Sequence, residues 1–105
     1  MSKSKKTESW IERAKKGEGA NLFKEIFGVI CDNVMVCQED RVRIKVFFEN
    51  AQPENLAQFF VWLNANEFVE YFIVEVQLNL PWEIAATVIQ GLDPEGEHKL
   101  ADHVR

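Results

Sequence analysis

From Phe68 to Asn79 the chain reads FVEYFIVEVQLN. The run is rich in Phe, Tyr, Ile and Val and holds no Gly or Pro, so residue preference favours an extended strand. As a strand it sets Phe72, Val74, Val76 and Leu78 on one face. Val69, Tyr71 and Ile73 lie on the other face, which turns polar at Glu75, Gln77 and Asn79. Its first half is then apolar on both sides. A helix continuing from the preceding one is the alternative.

Upstream, Arg41 to Glu49 alternates, with Val42, Ile44, Val46 and Phe48 on one face and Arg41, Arg43, Lys45 and Phe47 on the other. Strict alternation marks a half-buried strand. Val34–Cys37 is a short β-branched run, and Gln38-Glu39-Asp40 a turn between the two, so a hairpin is expected. The segment joining the two longer strands starts at Gln52-Pro53-Glu54, with Pro early and Glu in the first turn, as helices start. Leu56, Phe59, Phe60 and Leu63 follow at i, i+3, i+4 and i+7 and form its core face. A strand-helix-strand unit of this kind places its strands parallel with a right-handed crossover.

Both ends read as helical. Thr7 is placed to cap a short helix to Lys16, closed by Gly17, with Trp10, Ile11 and Ala14 on its apolar side. After a Gly17-Glu18-Gly19 hinge, Asn21 is placed to cap a second helix. Leu22, Phe23, Ile26, Phe27 and Ile30 form one face of it at helical spacing. Pro81-Trp82-Glu83 opens the last helix and Gly91 closes it. Asp93-Pro94-Glu95-Gly96 is a turn. The expected order is α-α-β-β-α-β-α, an α+β fold with a three-stranded mixed sheet packed with helices. Residues 1–16 form a basic N-terminal arm or helix. Residues 17–105 form a single domain whose tail, 93–105, is a helical turn or frays.

The chain has 105 residues, 47% hydrophobic and 28% charged, which fits one globular domain and excludes a disordered or fibrous chain. Residues 1–16 carry six basic and two acidic side chains, a net of +4. Residues 17–105 carry six basic and fifteen acidic ones, a net of −9. A body of that charge repels phosphates and does not suit sequence-independent nucleic-acid binding. The polar, basic start lacks the apolar run of a signal peptide, and no segment has the apolar length of a membrane span. Cys31 and Cys37 sit among apolar neighbours, as free thiols packed in a reducing cytoplasm do.

No motif for catalysis, metal or cofactor emerges. His98 and His103 are five residues apart in the tail, off the i, i+4 spacing of a helical metal site. Ser occurs only at positions 2, 4 and 9, and no phosphate-binding glycine loop is present. The carboxylate pairs Glu39-Asp40 and Glu67/Glu70 read as turn and surface charge. The expected function is therefore a small cytoplasmic, non-enzymatic protein-binding module, of inhibitor, immunity or adaptor type, acting on a protein partner or a second copy. Val69, Tyr71 and Ile73 on the second sheet face, with Trp62 and Phe47, are its candidate interface anchors. The alternative is a nucleic-acid-associated regulator that uses the basic arm and a stripe of Arg41, Arg43 and Lys45 on one strand face.

Overall fold

Phe47 and Phe48 are adjacent in sequence and both buried, which a helix can achieve on one face and a strand cannot. In the computed structural model, which describes residues 10–32 and 36–103, the segment around them is helical. The elements are α1 (Trp10–Lys15), α2 (Gly19–Cys31), α3 (Gln38–Asn50), α4 (Pro53–Ala65), α5 (Val69–Asn79) and α6 (Trp82–Leu92). A 3-10 turn, Leu100–His103, follows. Among the described residues there is no strand.

The α+β expectation is therefore wrong, and with it the mixed sheet, the hairpin and the crossover. In α3 the buried residues are Ile44, Phe47 and Phe48, at i, i+3 and i+4, while Val42 and Val46 of the alternating pattern lie exposed. In α5 they are Phe72, Ile73 and Val76, at i, i+1 and i+4. Apolar character on both sides of this run is the signature of a wide helical core stripe, not of a strand covered twice. Of the expected strand Val34–Cys37, Val34 and Met35 lie outside the described residues, and Val36 and Cys37 form an irregular link. Thr7, placed as a cap, also lies outside them.

The helices meet around aromatic rings. Phe59 of α4 stacks on Phe23 of α2, with centroids 4.9 Å apart and planes 3° from parallel. It also meets Phe48 of α3 at 5.8 Å and Phe72 of α5 at 5.6 Å. One side chain thus joins four helices. The closest approach of α3 and α6 runs through Gly91, where a Cβ would lie 3.1 Å from the Phe48 carbonyl oxygen. Gly91 does not close α6; it sits inside the helix as a packing notch.

The six described residues of α1 cannot hold a helix together by themselves. Trp10 fixes it: the indole is buried, its Nε1–H donates to Glu25 at 3.1 Å, and its ring meets Phe47 edge-on. Arg43 lies over the other side of the ring at 4.0 Å and faces Glu25 at 3.7 Å and Asp40 at 3.2 Å. Arg13 adds bonds to Glu25 (2.7 Å) and Glu18 (2.8 Å).

At the other end, Asp93 is the one charged residue among the described ones that the fold largely buries, at 9% exposed. Its carboxylate accepts the backbone N–H groups of His98 and Leu100, both at 3.1 Å. This folds the chain back so that Leu100 is buried and the His98 ring stacks on Phe60 at 4.1 Å.

Burial pushes the Asp93 pKa up, but the N–H donors of His98, Leu100 and Glu97, with the His98 charge, outweigh it and the net direction is down. For Glu25, burial is again outweighed, by Arg13, Trp10 and Arg43. Both carboxyls are thus depressed below their unfolded values of about 3.9 and 4.3. The unfolded chain binds more protons in that range, so the stabilisation is complete above those values and disappears as pH falls through the folded ones. The expected melting temperature is level from about pH 7 to 5 and falls below about pH 4. In Asp93→Asn the acid fall is shallower, from a lower plateau; an unchanged slope in calorimetry would remove Asp93 from this role.

Candidate protein-contact surface

The α4–α5 junction places the aromatic side chains that matter most. Glu67 adopts the left-handed conformation (φ 59°), unusual for a non-glycine residue. The Phe68 N–H bonds the Leu63 carbonyl at 2.8 Å and the Glu67 N–H bonds that of Asn64 at 3.1 Å. These are the paired bonds of a Schellman ending, whose usual companion is an apolar contact from the residue after the left-handed one back to the last turn. Here that contact is Phe68 against Trp62, at 5.8 Å.

Phe27 of α2 completes the group. Its ring lies 4.6 Å from Phe68, 5.9 Å from Trp62 and 6.0 Å from Tyr71. Phe27, Trp62 and Phe68 are half-buried and Tyr71 is 49% exposed. Four rings from α2, α4, the junction and α5 therefore form a continuous, partly wet aromatic patch backed by the core. Val74 and Leu78 extend it along α5, at i+3 and i+7 from Tyr71, and Leu78 is 71% exposed. Side chains at that spacing share one face of a helix.

The surroundings are acidic. Helix α5 has Glu70 and Glu75 and no basic residue, α4 has Glu54 alone, and Lys24 is the one cation of α2. Glu75 is the main cause of a raised Tyr71 pKa, followed by burial, Cys31 and Asp32. The phenol therefore stays neutral and able to donate. The buried Cys31 thiol is pushed up to about 12, by burial first and then by Glu75 and Asp32, so it is inert beside the patch.

The sequence-derived anchors separate in three dimensions. Tyr71 and Trp62 come together through Phe27. Ile73 is only 1% exposed and Val69 is half-buried, so the face drawn through Val69, Tyr71 and Ile73 does not exist as a surface. Phe47 is 1% exposed and serves as the wall for Trp10. Arg43 turns away from Arg41 and Lys45, because each step of two residues turns about 200° around a helix. Arg43 is held by Trp10, Glu25 and Asp40, Arg41 is half-buried and Lys45 is exposed. Phe27, Phe68, Val74 and Leu78 are not among the sequence-derived anchors. Phe27 shares the helical-period apolar face of α2 with Phe23, and the extended reading sets Val74 and Leu78 on the face opposite Tyr71.

Among the described residues no three His, Cys, Asp or Glu side chains are placed to hold a metal ion. No described helix is long and apolar enough to cross a membrane. No family model, curated protein or solved structure matches the chain.

Proposed function

We propose that this protein is a non-enzymatic binding module that docks a basic, amphipathic helix of a partner protein across Phe27, Trp62, Phe68 and Tyr71 and along the outer face of α5. The observation that carries this reading is the contiguity of four incompletely buried aromatic rings with an exposed apolar stripe at helical spacing. Rigid aromatic anchors next to apolar area are the usual energetic centres of protein interfaces. A helix laid in a groove presents its own i, i+3, i+4 and i+7 side chains to such a surface. The carboxylates of Glu75 and Asp32 beside Tyr71 favour a partner with lysine or arginine flanks and speed its encounter. The free thiols of Cys31 and Cys37 suit a reducing compartment, and we place the module in the cytoplasm.

The probe is a synthetic helical peptide with leucine at i, i+3, i+4 and i+7 and lysine elsewhere, titrated at low and physiological salt. A second peptide carries glutamate in place of lysine. Binding is expected for the lysine peptide alone, with amide shifts confined to Phe27, Trp62, Phe68 and α5. Tyr71→Glu is expected to weaken it about tenfold or more, since loss of a central anchor costs at least about 1–2 kcal/mol. Melting temperatures of the variant should match the parent, because the residue is half in water. Equal affinity for Tyr71→Glu, or for the glutamate peptide, overturns the reading. A dimer in sedimentation that Tyr71→Glu dissociates would make the occupant a second copy and overturn the heterologous partner.

A further inference from the structure

A second surface lies apart from the aromatic patch, where α6 meets the loop before the 3-10 turn. Trp82 is 64% exposed and lines an open cleft of about 540 Å³ together with Ala86 and Ile89. Glu95 and Asp102 also line it, with Lys99 as the one cation among the lining residues. The loop before the 3-10 turn is fixed in place. Asp93 holds it through the N–H groups of His98 and Leu100, and Gly96 and Lys99 take left-handed conformations (φ 71° and 54°) that shape its turns. The cleft is thus formed before any ligand arrives.

The molecule itself shows what such a combination binds. At the N-terminal helix, Arg43 lies over the face of Trp10 at 4.0 Å with the carboxylates of Glu25 and Asp40 beside it. The Trp82 cleft offers the same two components, an exposed indole and carboxylates among its lining residues. A planar guanidinium can stack on the ring and bond carboxylates at its edge together. An ammonium has no flat face to stack, and a neutral side chain lacks the charge attraction of the acids. We infer that the Trp82 cleft is a binding site for an arginine side chain presented by a partner polypeptide. Lys99 opposes an incoming cation, which makes both acids necessary. The site is independent of the α5 surface and stands or falls separately.

The experiment follows the indole Nε1–H resonances of the full-length protein, one for each of Trp10, Trp62 and Trp82. The probes are the peptide Ac-Gly-Gly-Arg-Gly-Gly-NH2, its citrulline and lysine counterparts, and free L-arginine. The expected result is a saturable shift of the Trp82 resonance with the arginine peptide, with Trp10 and Trp62 unmoved. The citrulline peptide is expected to give none, and the lysine peptide and free arginine to bind more weakly. Glu95→Gln combined with Asp102→Asn is expected to weaken binding about tenfold, and Trp82→Ala, followed through the backbone amides of Gly96 and Lys99 that line the cleft, to abolish it in a protein whose melting curve is otherwise preserved. No saturable shift, equal binding of the citrulline or lysine peptide, or insensitivity to the double variant overturns the site. Free arginine binding as tightly as the peptide overturns the polypeptide source. A shift of Trp62 alone reports the aromatic patch and also counts against this cleft.

Discussion

Phe59→Ala is expected to lower the unfolding free energy by about 3–5 kcal/mol, the range for removing a buried aromatic ring. Phe59 has no exposed surface and touches Phe23, Phe48, Trp62 and Phe72, so its loss opens a cavity bounded by rings from four helices. Rigid rings anchored on separate helices cannot collapse into the gap, which puts the cost toward the upper end. In a domain of this size the loss corresponds to a fall in melting temperature on the order of 20 °C. It is also a large share of a total stability of about 5–15 kcal/mol. Phe59→Leu keeps most of the volume and is expected to cost about 1.5 kcal/mol or less. Urea unfolding of both variants is the measurement. If alanine costs no more than leucine, the aromatic hub is not what joins α2, α3, α4 and α5.

Trp10→Ala is expected to cost about 3 kcal/mol or more, through a different mechanism. The substitution removes the buried indole, the donor to Glu25, the edge contact with Phe47 and the ring beneath Arg43. The six described residues of α1 have no helical stability of their own to fall back on once the anchor is gone. The expected outcome is therefore release of α1 as well as a lower global stability. Trypsin should cut after Arg13, Lys15 and Lys16 much faster in the variant than in the parent, while amides in α4 and α5 keep their rank order of exchange protection. Trp10→Phe retains ring packing and loses the Nε1–H bond to Glu25, at a cost of about 1–3 kcal/mol. Unchanged cleavage in Trp10→Ala would mean that the ion pairs of Arg13 with Glu18 and Glu25 alone hold α1.

Much of the helical part could be read from the chain before any coordinates. Pro53 and Pro81 stand at the start of α4 and α6, and the Leu56/Phe59/Leu63 spacing identifies the buried side of α4. Even so, β-branched composition misled at α3 and α5. Val69, Ile73, Val74 and Val76 are residues that prefer strands, and Val42 and Val46 imitate alternation. Two details contradicted that reading at the level of sequence. Phe47 and Phe48 are neighbours, and a strand would have left one of them in water. The run after Phe68 is apolar on both sides, which a helix with a broad core stripe satisfies without a second covering layer. The contact surface suffered from the same error. Tyr71 and Trp62 were found because large aromatic residues attract attention anywhere, whereas Val74 and Leu78 join them only when counted at helical spacing.

Composition and charge established an acidic chain with enough aromatic residues for an apolar core, because those properties depend on residue type and not on conformation. The positions of Pro and of helical-period apolar residues established where four helices lie, because those signals are local. Packing alone decided the secondary structure of α3 and α5. Their intrinsic preference for the helix is weak, and burying Ile44, Phe47, Phe48, Phe72, Ile73 and Val76 together outweighs it. Packing also decided which side chains were left outside. The patch formed by Phe27, Trp62, Phe68 and Tyr71 draws on three helices and a left-handed Glu67, a meeting that no spacing along the chain encodes.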